Sequence, residues 1–218
     1  MVYFVVSVWS GLVGFSISLI IRFELGSGGI WMGDEELYNI FVTSHAVFMV
    51  FFLVMPIFMG AFGNWLLPMM LGEADMALPR LNNMSLLLLL VSLGLMGVSM
   101  VLGSGSSGWT MYPPLMFSEY SPGLGVDFMV LSLHIAGLSS VLGSINILVT
   151  CYISAYFVGG VDRIPLFAWS LVVTSVLVVL TVPVLAAALS MLLMDRHVST
   201  SFFNPCGGGS PLLYQHLF

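Results

Sequence analysis

His45, Arg22 and Asp75 are the side chains most able to do chemistry in a chain that has very few such groups. His45 lies among Val42, Ala46, Phe48 and Met49, about two helical turns into a long apolar run. An imidazole there either hydrogen-bonds a carbonyl as a packing residue or offers a ring nitrogen to a metal or heme iron, for which neutral histidine is the commonest donor. Arg22 ends the preceding apolar run on the same side. It can snorkel to the interface or hydrogen-bond a polar substituent of a bound ring. A second group collects at the other side: Asp75 with Asn82 and Asn83, Asn64 and Asn146 in the nearby halves of two runs, Ser139 and Ser140 about two turns deeper, and Tyr3. Asn and Ser hydrogen-bond between membrane helices; the same residues in line behind a carboxylate would also suit proton uptake. Glu24, with Gly26, Gly28 and Gly29 behind it, offers carboxylate and carbonyl oxygens suited to a hard cation.

The elements that must position these groups are membrane helices. Hydrophobic residues make up 59% of the 218 and charged residues 6%, with a mean hydropathy of +1.10. A soluble domain carries about a quarter charged residues, so this chain cannot dress a water-facing surface. It has no lysine, and its cations are Arg22, Arg80, Arg163 and Arg196. With no basic patch, nucleic-acid binding is excluded. Cys151 and Cys206 fit no metal-ligand spacing.

A spanning helix needs about 20 apolar residues, and five segments qualify: Val2 to Arg22, Leu37 to Leu71, Met84 to Leu102, Val126 to Phe157 and Leu166 to Met194. A sixth opens at Leu212. The predicted fold is therefore an all-α, polytopic transmembrane helix bundle, read as a single domain over 1–218 with no internal repeat. Alternation puts the connections 72–83 and 158–165 on the side of the N-terminus and the other three opposite. Two arginines fall on each side, so the positive-inside rule does not orient the chain. His134 lies about two turns from the side opposite the N-terminus and is expected to support packing. His197 is expected to be solvated, and Asp195 with Arg196 to form an ion pair at a helix end.

Several strings carry a resemblance: IRFEL (21–25), TSHA (43–46), GNW (63–65), ADMALPRLNN (74–83), GWTMYPPL (108–115), PVLAA (183–187), DR (195–196) and YQHLF (214–218). In that order, and over the whole chain, they resemble cytochrome c oxidase subunit I, the catalytic subunit of the heme-copper oxidases. The resemblance implies that His45 is an axial ligand of the low-spin heme a, that Arg22 hydrogen-bonds its formyl group, and that Tyr38 and Trp109 sit around it. It implies that Asp75 is the mouth of the D proton pathway, that Asn64, Asn82 and Asn146 are its asparagines, and that Ser139, Ser140 and Tyr3 lie along or beside it. Glu24 and Gly29 match a calcium or sodium site.

It further implies electron transfer from cytochrome c, through a copper centre of subunit II and heme a, to a heme a3–copper B site where oxygen becomes water with proton pumping. The location would be the mitochondrial inner membrane, multi-pass, among other oxidase subunits and lipid, with the N-terminal side facing the matrix. The copper B and heme a3 ligands and the second heme a ligand are expected beyond Phe218, so the chain reads as an N-terminal fragment, inactive alone. Four departures stand out: Ser85–Leu90 where the family carries an aromatic and prolines, a short connection 103–125, Ser27–Gly28 for Gln-Pro, and Ala74 for the proline before Asp75. Two other classes fit the residues without the resemblance. A b-type cytochrome would pair His45 with His134 at similar depth, and a cofactor-free transporter would show inverted repeats and broken helices.

Overall fold

The computed structural model describes residues 1–28, 31–103, 108–158, 160 and 163–218, with the backbone alone at 156–158. Five helices are long and apolar enough to cross a membrane. They are α1 (Val2–Gly26), α2 (Glu35–Leu71), α3 (Pro79–Val101), α4 (Gly125–Val158) and α5 (Leu166–His197), followed by the short α6 (Pro211–Leu217). Among the described residues there are no strands. The all-α bundle is thus as expected.

Local chemistry sets the ends of α2 and α3. Asp34 caps α2, its Oδ1 accepting from the N–H groups of Glu36 and Leu37 at 2.9 and 3.2 Å. Glu35 and Glu36 put negative charge at the positive end of the helix dipole. Gly72 ends α2 at φ +74°, a left-handed turn that costs a glycine little. Pro79 opens α3, where its missing N–H is no loss. Asn82 and Asn83 consequently stand at the start of α3 rather than in the connection. Mid-membrane, α2 is wound in π fashion over Phe48–Val54 and Pro56–Gly63. Pro56, lacking an N–H, cannot continue an ordinary α ladder at that point.

Chain order packs in antiparallel pairs, α1 on α2, α3 on α4 and α4 on α5. The seam between α3 and α4 is made of serines. Ser139 donates to the Ser85 carbonyl (2.6 Å), Ser92 and Ser132 donate to each other's carbonyls (2.7 and 2.8 Å), and Ser99 donates to the Gly125 carbonyl (2.6 Å). The rungs fall every seven residues on both helices, the spacing that keeps one stripe of each facing the other. Small residues let the two backbones approach, and each hydroxyl is satisfied across the seam where no water could do it.

At the end opposite the N-terminus, Arg196 and Asp127 form a buried pair at 2.8 Å. Arg196 also donates to the carbonyls of Met116, Ser121 (3.2 Å) and Gly123 (3.0 Å), clamping the connection before α4 to the end of α5. The expected pair between Asp195 and Arg196 does not form. Neighbours on a helix point about 100° apart, and Asp195 instead accepts from Thr200 Oγ1 and from the N–H groups of Phe202 and Phe203 at 2.5, 3.0 and 2.9 Å. His197 is half-exposed, with Nε2 3.0 Å from Asp127 Oδ2, and so is not simply solvated.

Candidate functional site

His45 is half-buried against α1, and its Nδ1 lies 2.8 Å from the Gly14 carbonyl oxygen. A carbonyl only accepts, so Nδ1 carries the hydrogen. The neutral ring then presents a lone pair at Nε2, which has no partner among the described residues. Gly14 makes this contact possible. A Cβ there would stand 2.8 Å from Met49 Sδ and 3.4 Å from Phe48 Cβ, so any other residue would displace the Met49 side chain. A ring oriented through Nδ1–H by a backbone carbonyl, with Nε2 open, is the arrangement seen in histidine metal ligands. The ring so held would fit an iron ligand through Nε2.

Tyr38 lies seven residues before His45, on the same face of α2, and is half-buried. Arg22 lies eight residues beyond Gly14 on α1, about 12 Å along the axis. It is exposed and has no hydrogen bond or ion pair among the described residues. Trp109 packs its ring edge-on against Phe218, with centroids 5.6 Å apart. Glu24 Oε2 accepts from the Met32 N–H at 2.9 Å; Gly29, its expected companion in a cation site, lies outside the described residues. Among the described residues, no three His, Cys, Asp or Glu side chains gather around a common point.

His134 is spent differently. Nδ1 is 2.9 Å from the Val130 carbonyl, and Nε2 is 3.1 Å from the Ala186 carbonyl and 3.0 Å from Ser190 Oγ. Neither nitrogen is left for iron, so the paired-histidine arrangement of a b-type cytochrome loses its second ligand.

On the N-terminal side, Asp75, Asn64, Asn82, Asn83 and Tyr3 line one cavity of about 660 Å³ together with apolar side chains. A smaller space of about 30 Å³ lies deeper, between Tyr3, Gly60 and Asn64 on one wall and Ser139 and Ser140 on the other. It has room for about two waters. Tyr3, Gly60 and Asn64 line both spaces. Hydrogen bonds run the same way. Asn64 Nδ2 donates to Asn82 Oδ1 at 2.8 Å, Tyr3 Oη pairs with Ser85 Oγ at 2.5 Å, and Ser85 Oγ donates to the Asn82 carbonyl at 2.7 Å. Gly60 is required where Tyr3 crosses α2, since a Cβ there would sit 2.5 Å from the ring.

Asp75 is exposed and held by its neighbours. Its Oδ1 accepts from the Met76 N–H at 2.7 Å, and Met76 is buried beside Leu67, Ile147 and Cys151. The next two N–H groups are taken by α4: Ala77 donates to Thr150 Oγ1 (3.0 Å) and Leu78 to Asn146 Oδ1 (2.9 Å). Asn146 thus anchors the segment bearing Asp75 and is not among the residues lining either cavity. Its Nδ2 is buried without a partner, a group that a water would satisfy.

The sequence reading missed Ser85, Thr150 and Asp127. Ser85 had a signal, the seven-residue spacing it shares with Ser92 and Ser99. Thr150 and Asp127 had none, because each acts through a partner more than 60 residues away.

Comparison with known proteins gives a concordant result. A family model described as Cytochrome C and Quinol oxidase polypeptide I matches residues 1–218. The chain is 49% identical over 218 residues to cytochrome c oxidase subunit 1 of Pecten maximus, covering 99% of this chain and 46% of that protein. It is 45% identical over 219 residues to cytochrome c oxidase subunit 1 of Eremothecium gossypii, covering 99% of this chain and 41% of that one. It spans less than half the length of these relatives. With five apolar helices, a histidine oriented for ligation and a family match along its whole length, the chain belongs to the cytochrome c and quinol oxidase polypeptide I family.

Proposed function

We propose that this chain is the part of a cytochrome c oxidase catalytic subunit that provides one heme a ligand and the proton-uptake side, within a complex of several subunits in the mitochondrial inner membrane. The whole protein would oxidise cytochrome c, reduce oxygen to water and translocate protons. When bound, the hemes and copper supply the redox chemistry; the chain contributes ligation, orientation and surroundings. His45 would hold heme a through Nε2, with Arg22 and Tyr38 on the same side of the membrane. The ligands of heme a3 and copper B would come from residues outside this chain.

The observation that carries the proposal is the polar line from Asp75 to Ser139 and Ser140, through two spaces that share Tyr3, Gly60 and Asn64. An exposed carboxylate collects protons, and side chains at hydrogen-bonding distance with room for a few waters pass them inward. Asp75→Asn keeps the shape and removes the titrating group. In the full-length complex it is expected to slow proton uptake and oxygen turnover by roughly a hundredfold, the low end for a positioned proton-transfer group. Unchanged turnover and unchanged proton stoichiometry would exclude this face as the uptake route.

A further inference from the structure

We propose that the cavity beside Asp75 binds a single-chain ammonium amphipath, its head on the carboxylate and its chain among α1, α2 and α3. The binding rests on the cavity alone; its effect on turnover rests on the uptake route proposed above. The space measures about 660 Å³, within the roughly 300–1,000 Å³ that holds one small ligand. Its wall is of two kinds. Phe4 from α1, Phe62 and Trp65 from α2 and Leu86 from α3 are apolar, whereas Asp75, Asn64 and Asn82 are polar. Asp75 is exposed, and so are the Phe4 and Trp65 rings. A ligand with one charged end and one hydrocarbon end matches such a wall.

Charge selects the head group. Among the described residues, Asp75 is the one charged side chain on the wall. Its Oδ1 accepts from the Met76 N–H, while Oδ2 has no hydrogen bond among those residues. Nor does it form an ion pair among them, although Met1 stands on the same wall. Asn64 and Asn82 are spent on each other at 2.8 Å, so the carboxylate is the group left to receive a ligand. The aromatic rings favour the same sign, because the face of a Trp or Phe ring attracts a cation. A phospholipid fits badly: its phosphate would stand against Asp75 with no cationic side chain on the wall to answer it.

Occupancy would act on proton entry. Tyr3, Gly60 and Asn64 line both this cavity and the inner space of about 30 Å³. An alkyl chain lying along Phe62 and Leu86 would displace the water between Asp75 and that inner space. The ammonium group would cover the carboxylate at the same time. Bound amphipath therefore slows uptake wherever protons enter by this face.

The test uses the full-length complex in nanodiscs of zwitterionic lipid. Dodecyltrimethylammonium, dodecyl maltoside and dodecyl sulfate, each with a diazirine on the chain, are titrated and photolysed, and the labelled peptides are sequenced. The ammonium probe should label the segments carrying Phe4, Phe62, Trp65 and Leu86. It should reach half its maximum at about fivefold lower concentration than the maltoside, the size of an exposed ion pair with an aromatic contact. The sulfate should label them least. Asp75→Asn should bring the ammonium and maltoside curves together without abolishing labelling. Leu86→Trp fills the apolar end and should weaken every probe; Leu86→Phe serves if that variant does not assemble. Equal labelling by all probes, labelling confined to other segments, or stronger labelling by a phosphatidylcholine carrying the same diazirine overturns the proposal. Oxygen turnover should slow in step with labelling. Labelling without slowing supports the site and counts against the uptake route, whereas absent labelling removes the site and leaves the route to be judged by Asp75→Asn turnover.

Discussion

His45→Ala in the full-length protein removes the heme a spectrum. The ring's two nitrogens have different tasks. Nδ1 is committed to the Gly14 carbonyl at 2.8 Å, which fixes the plane of the imidazole relative to α1 and aims Nε2 away from it. Alanine deletes the donor and leaves the Gly14 carbonyl without its side-chain partner. His134 cannot substitute, because both of its nitrogens are occupied. The expected result is a complete loss of the heme a band in reduced-minus-oxidised spectra of the assembled complex. A normal band would sink the assignment of His45. Gly14→Val is the companion experiment. Its side chain would drive Met49 outward and draw the Gly14 carbonyl from Nδ1, so the band should shift or broaden while Nε2 remains present.

The second large effect is on assembly. Arg196 is buried and uses Nε, Nη1 and Nη2 to hold Asp127 and three carbonyls of the preceding connection. Arg196→Gln leaves the Asp127 carboxylate buried beside groups that no longer neutralise it. Breaking a buried pair by removing one partner costs about 3–5 kcal/mol, a large share of the roughly 5–15 kcal/mol that holds a domain folded. The steady-state level of folded complex should fall sharply and its thermal inactivation should come at lower temperature. Asp127→Leu with Arg196→Met removes both charges and should recover part of the loss, because no uncompensated charge then remains. Arg196→Gln with unaltered thermal stability would show that the clamp contributes nothing.

The bundle itself was legible before any coordinates, because apolar run length is set by the membrane and needs no tertiary information. His45 and Asp75 were legible as well, since an ionisable residue in or beside such a run stands out against its neighbours. What was hidden is pairing. The reading set Asp195 with Arg196 because they adjoin in the chain, but side-chain direction on a helix sends them to different partners. Depth and the family resemblance both group Asn146 with the proton-path residues, and neither says that its amide oxygen holds the Leu78 N–H. His134 looked equivalent to His45 by the same measure. Only the positions of Val130, Ala186 and Ser190 separate an occupied ring from an open one.

The serine rungs between α3 and α4 also bear on which length changes the chain can accept. In every rung the two residue numbers add to the same value, and the bond from Leu78 to Asn146 continues the series. Inserting or deleting one residue in either helix would therefore put every rung beyond it out of register at once. A change of length between Val101 and Gly125 disturbs none of them, and Asp75 stays at its depth. Variation among relatives should accordingly collect in that connection, while both helices keep their residue count between the first rung and the last.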